Sequence, residues 1–103
     1  MARLVWSKSS RDDLKGIHSF ISKDSKYYAN SFVDKVNQSV KKLKSFPKIG
    51  REVPEFQDTN IREIIFHNYR IIYQIAEHKI NILTVFHTSR DLSRFKLEDW
   101  EVI

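Results

Sequence analysis

Four residues in the second half of the chain carry the groups that RNA cleavage requires: Arg70, His87, Arg90 and Arg94. Arginine keeps its charge and grips phosphate through a planar fork. Histidine moves protons near neutral pH. Acting together they can help a 2′-hydroxyl attack the adjoining phosphate, with His87 as base or acid and the arginines stabilising the phosphorane. A plainer use exists for the same groups: Arg70 can pair with Glu63, and Arg90 with Asp91 or another acid of the tail.

Other chemistries find no support. There is no glycine-rich phosphate loop, no HExxH and no GxSxG. Cysteine is absent, which removes disulfides and thiolate catalysis. His18, His67, His78 and His87 are scattered without metal-ligand spacing, so no metal or other cofactor is expected. His18 falls on an apolar helical stripe and reads as a packed histidine with a local hydrogen bond. His67 and His78 read as turn residues.

A second group of candidates is purely electrostatic. Lys35, Lys41, Lys42, Lys44, Lys48 and Arg51 follow one another with no acid between them. Residues 1–50 carry eleven Lys/Arg against four Asp/Glu, and residues 51–103 seven against nine. Such a stripe attracts phosphates or an acidic protein, and equally serves as a solvated helix face.

These residues need elements to hold them. Length 103 fits one domain spanning 1–103, and 41% hydrophobic content suffices for a core. No apolar run reaches the ~18 residues of a membrane span, and the N-terminus lacks a signal-peptide stretch, so a cytoplasmic protein is expected. "RLVWS" has strand character. Ser9 and Ser10 ahead of Asp12 and Asp13 resemble a capping box, followed by Leu14, Ile17, His18 and Ile21 at helical spacing. Asp24 or Ser25 caps a second helix with the stripe Tyr28, Phe32, Val36, Val40 and Leu43, ended by Phe46-Pro47 and Gly50. "GREVPEFQDTN" reads as a polar connector.

Beyond it the period changes to that of strands. "IREIIFH", "YRIIYQIA" and "KINILTVFH" are separated by the two-residue turns His67-Asn68 and Glu77-His78, with Asn68 suited to positive φ. The expected fold is α+β: a strand, a two-helix antiparallel hairpin, an antiparallel three-strand meander and a short C-terminal helix anchored by Leu92, Phe95 and Trp100. Two-residue loops pair Phe66 with Tyr69 and Ala76 with Lys79. Strict alternation then puts Arg62, Tyr69, Ile71, Tyr73, Ile75, Ile80, Ile82, Thr84 and Phe86 toward the helices. It puts Glu63, Arg70, Val85 and His87 together on the other, more open face.

In this order the motifs resemble the RelE/ParE toxin superfamily of bacterial type II toxin–antitoxin systems. The resemblance runs through "VWSKSSRDDLKGIHSFI", "YYANSFVDKVNQSVKKL", "FPKIGREVPEF", "NIREIIFHNYRIIYQI" and "INILTVFHTSRDL". It implies a growth-inhibiting toxin, linked to plasmid stabilisation, that forms a hetero-oligomer with a neutralising antitoxin. The superfamily's poisons are of two kinds. ParE-type members inhibit DNA gyrase and are not enzymes; RelE-type members are endoribonucleases that cut messenger RNA on the ribosome. Arg70 and Arg90 match arginines of the RelE branch. That branch, however, has lysines where "NIREI" offers Arg62 and Glu63, and a C-terminal tyrosine where this chain has Phe95 and Lys96. His87 or Glu63 can replace the missing group in an RNase. The pattern from "VPEF" through "NIRE" and "YRI" to "RDL" is closer to ParE, and gyrase inhibition is therefore the leading expectation. Arg62, Glu63, Arg70, His87, Arg90, Arg94, Lys41, Lys42 and Lys44 are the candidate contacts to target or antitoxin. A disordered acidic antitoxin segment studded with apolar residues would be steered by the three lysines and would bury the helices and the free sheet edge.

Overall fold

The computed structural model describes residues 2–90. Strand β1 (Arg3–Trp6) leads into helices α1 (Lys8–Ser22) and α2 (Lys26–Lys41). Two 3-10 turns (Lys42–Lys44, Pro47–Ile49) follow, then strands β2 (Arg51–Glu52), β3 (Ile61–Phe66), β4 (Tyr69–Ala76) and β5 (Lys79–His87). The sheet order is β1-β5-β4-β3-β2. The meander β3–β4–β5 is antiparallel, as expected. β1 pairs in parallel with β5, and a two-residue strand inside the supposed connector pairs with β3. The expected C-terminal helix and its anchors lie outside the described residues.

Local chemistry explains the helix ends, with one correction. The cap of α1 is Ser7, whose side chain accepts from the Ser10 amide, so the Ser9/Ser10 box sits within the helix. Ser25, one of the two expected residues, caps α2 and accepts from the Tyr28 amide. The stripe of α2 also begins later than expected: Tyr28 is exposed, while Ala29, Val36, Val40 and Leu43 are buried. Val36, Val40 and Leu43 meet Ile71, Tyr73, Ile80, Ile82 and Val85 of the sheet in the main core.

Both hairpin turns contain a histidine with positive φ, His67 at 52° and His78 at 62°. Asn68, expected in that role, does not adopt it. The turns still set the predicted pairs, Phe66 with Tyr69 and Ala76 with Lys79. Between β4 and β5 the register then breaks: Tyr73 faces Ile82 but Ile72 faces Thr84, leaving Leu83 as an extra residue. Beyond this bulge Val85, Phe86 and His87 change face. Val85 joins the helix-side core and His87 stacks edge-on against Tyr69, while Phe86 moves to the second face. Strict alternation had placed all three the other way.

The bulge frees backbone groups, and α1 takes them up. The Ser7 hydroxyl donates to the Leu83 carbonyl at 2.8 Å. One Asp13 oxygen accepts from the Thr84 hydroxyl at 2.6 Å and from the Val85 amide at 3.0 Å. The irregular strand is thus fastened to the first two turns of the helix rather than left unsatisfied.

The second sheet face is more covered than expected. Val53 and Phe56 of the connector fold over it and pack with Ile61, Ile72, Leu83 and Phe86. The stretch read as a polar connector supplies a second, smaller core.

Candidate functional site

On that second face β3 and β4 place Glu63 and Arg70 beside each other. Glu63 faces Ile72 and Arg70 faces Ile65 in the register, so the two acid–base positions are diagonal neighbours. The Arg70 Nε donates to Glu63, and its two Nη atoms each donate at 2.9 Å to the two oxygens of Glu55. Arg51, across from Glu63 in β2, donates to the second Glu63 oxygen. Phe86 lies under the guanidinium, 5.5 Å from ring centroid to Cζ. Arg70 is only 7% exposed and Glu63 only 1%.

Burial makes this arrangement obligatory. A carboxylate or guanidinium out of water must be paired and hydrogen-bonded, and here each is. The paired acids, Glu55 first, push the Arg70 pKa further up despite opposing desolvation. The Glu55 carboxyl is held below the usual carboxylate range, chiefly by its hydrogen bonds from Arg70. A group with a depressed folded pKa stabilises the fold above its unfolded pKa and loses that contribution as pH falls through the folded one. Glu55→Gln is therefore expected to lower stability at pH 7 and to approach wild type once the pH has fallen through the depressed folded pKa of Glu55. Urea unfolding on both sides of that pKa checks this; an unchanged gap at low pH would count against the Glu55 assignment.

The expected constellation of glutamate, arginine and histidine on one surface is not formed. Glu63 and Arg70 come together, but the bulge sends His87 to the helix side. There it lies in a cleft with Asp12, Asp13, Tyr69 and Arg90. His87 Nδ1 is within 2.8 Å of the Ser89 hydroxyl, and the Arg90 amide donates to the His87 carbonyl. Arg62 is occupied by backbone, donating to the carbonyls of Thr59 and Gly50. Lys41 and Lys42 are exposed at the end of α2 and Lys44 is half-buried in the turn after it. Arg94 and Asp91 lie outside the described residues. Among the described residues no group of three or more His, Cys, Asp or Glu can hold a metal.

Glu55 was not among the sequence candidates, and Arg51 was read there as part of the cationic stripe, not as a partner of Glu63. The available signal was "VPEF": an acid flanked by Val53 and Phe56, both of which pack onto the sheet. An acid between two anchored apolar residues is brought down to the same face.

A second feature is a groove of about 740 Å³ lined by Trp6, Leu14 and Val33, with Arg11, Lys15 and His18 on its rim. His18 is held there by Asn30 at 2.8 Å, in keeping with a packed histidine. The outer edge of β1 beside it has no strand neighbour among the described residues.

A strand, a helical hairpin and a sheet that carries the hairpin on one face make up the RelE/ParE class of toxin folds. The model of the ParE toxin of type II toxin–antitoxin system, parDE, matches residues 4–92, and the chain belongs to that family. It is accordingly the toxin of a toxin–antitoxin pair, with an antitoxin as partner. Among solved structures it is similar to one described as the chromosomal ParDE TA system from P. aeruginosa. The TM-score is 0.70 at 19% identity, over 84% of this chain and 96% of that one, a likeness of fold. No curated protein matches the chain. No helix among the described residues is long and apolar enough to cross a membrane.

Proposed function

We propose that this toxin acts as a gyrase poison, in the cytoplasm, and not as a ribonuclease. The observation that carries the reading is the state of Arg70. Its Nε and both Nη atoms already donate to Glu55 and Glu63. A guanidinium whose donors are taken by two carboxylates presents no fork to a phosphate. Arg70, one of the two arginines that match the RelE branch, is thereby withdrawn from RNA chemistry.

The antitoxin has a suitable seat elsewhere. An amphipathic acidic segment fits the groove between the helices, with its apolar face on Leu14, Val33 and Trp6 and its acids near Arg11 and Lys15. An extended continuation can add a strand to the free edge of β1. Lys41, Lys42 and Lys44 speed the encounter in a salt-sensitive manner, while apolar burial holds the complex.

One observation favours the RelE-like alternative: His87, Tyr69 and Arg90 share a cleft. The two readings separate in a single experiment. The wild type and His87→Ala are expressed without antitoxin, and DNA and messages are followed together. Broken DNA with intact messages is expected from both proteins. Codon-phased message cuts that fall by about 10²-fold in His87→Ala would establish the nuclease instead.

A further inference from the structure

The turn after α2 presents apolar side chains to solvent on a rigid mount. Phe46 is 64% exposed and Ile49 60% exposed. With Pro47, Lys48 and Ile75 they line a notch of about 500 Å³. The mount is built from inside the protein. The buried Tyr73 hydroxyl donates to the Pro47 carbonyl at 2.5 Å and accepts from the Gly50 amide at 3.0 Å. Phe46 and Ile49 are tied by backbone bonds to Lys42 and to Phe46 respectively, and Arg62 holds the Gly50 carbonyl. A preorganised turn loses little entropy when its exposed apolar residues bind a partner, which is the property of an interface anchor.

Its surroundings specify the partner. Lys41, Lys42 and Lys48 are exposed around the turn, Arg51 follows it, and no acid interrupts the sequence from Lys35 to Arg51. A basic rim around an apolar notch fits an acidic protein segment that projects a bulky apolar side chain. The notch shares no residue with the groove between the helices. Its turn runs directly into β2, at the opposite edge of the sheet from β1.

We propose that this notch is the seat of the toxin's target, and that the docking element is an acidic, apolar-tipped segment of gyrase. The proposal rests on the gyrase reading above. Both anchors are exposed, so their replacement leaves the core intact.

The test compares wild type with the double variant Phe46→Ser/Ile49→Ser, and with Lys48→Glu, in two assays. One is inhibition of purified gyrase; the other is affinity for the purified cognate antitoxin. At least a tenfold loss of gyrase inhibition is expected in the double variant, and a smaller, salt-dependent loss in Lys48→Glu, with antitoxin affinity changed less than about twofold. Undiminished inhibition by the double variant would overturn the notch while leaving the gyrase reading in place. Loss of antitoxin affinity in step with inhibition would assign the notch to the antitoxin and also overturn the proposal. Absence of gyrase inhibition by the wild type would overturn both readings.

Discussion

Arg70→Ala is expected to destabilise the protein by about 3–5 kcal/mol, enough to consume most of the margin of a small fold. The reason lies in what remains. Glu63 is fully buried as a side chain, and removal of Arg70 leaves it with the exposed Arg51 as its ion-pair partner. Glu55, 28% exposed, can turn to water and loses less. Arg70→Lys keeps a charge but supplies one point instead of a fork, and falls between wild type and alanine. The pair Arg70→Met/Glu63→Leu removes both buried charges and is expected to recover most of the loss. Equilibrium urea unfolding of the four proteins checks this ordering. A cost below 1 kcal/mol for Arg70→Ala, or no recovery in the double variant, would mean that the cluster contributes little. The result also bears on toxicity. Loss of growth inhibition in Arg70→Ala is expected from unfolding alone, so the variant reports on mechanism only where its folding has been measured.

Gly50→Ala is the second large effect, and a steric one. Gly50 has φ −76° and ψ 157°, a conformation open to alanine. An added Cβ, however, would stand 2.5 Å from the Glu63 carbonyl oxygen and 2.6 Å from the Tyr73 hydroxyl. Neither can yield easily: one is strand backbone, the other bridges Pro47 and Gly50. A destabilisation of about 3 kcal/mol is expected, at the upper end of over-packing costs. The same substitution at Gly16, where nothing lies within 4 Å, is expected to stabilise α1 by about 0.5–1 kcal/mol. Thermal unfolding of the two alanine variants gives shifts of opposite sign if this is correct. In the Tyr73→Phe background the Gly50→Ala cost should shrink, since the closest side-chain atom is gone, while the contact with the Glu63 carbonyl persists.

How far the sequence carried the fold can be followed along β4 and β5. Residues 61–76 were readable because alternation and two-residue turns act locally, and all six β3–β4 pairs obey them. Past Ile82 the alternation fails for a reason that sits elsewhere in the chain: the extra residue at Leu83 is tolerated because Ser7 and Asp13 satisfy it. The position of His87 therefore depended on α1, and local pattern could not supply it. The parallel partner of β1 was hidden for the same reason, since β1 meets β5 more than seventy residues away. At the site, proximity of Glu63 and Arg70 followed from strand geometry. Glu55 did not, because its placement depends on Val53 and Phe56 burying themselves against Ile61 and Ile72. A connector rich in Glu, Gln and Asp looks solvated until those two anchors are given a surface to bury against.

The sheet order has a consequence for the time at which this toxin comes into being. β5, the last described strand of the chain, lies between β1, the first, and β4. During synthesis the chain emerges with β1 unpaired through both helices and three further strands, and closes only when Lys79–Ile82 can slide in beside Arg3–Trp6. Pairing over such a separation is slow to nucleate because loop closure precedes any gain. Until then the two future neighbours of β5 expose open edges. The molecule assembles around its final strand, and a chain interrupted before that strand has no completed sheet on which to display its surfaces.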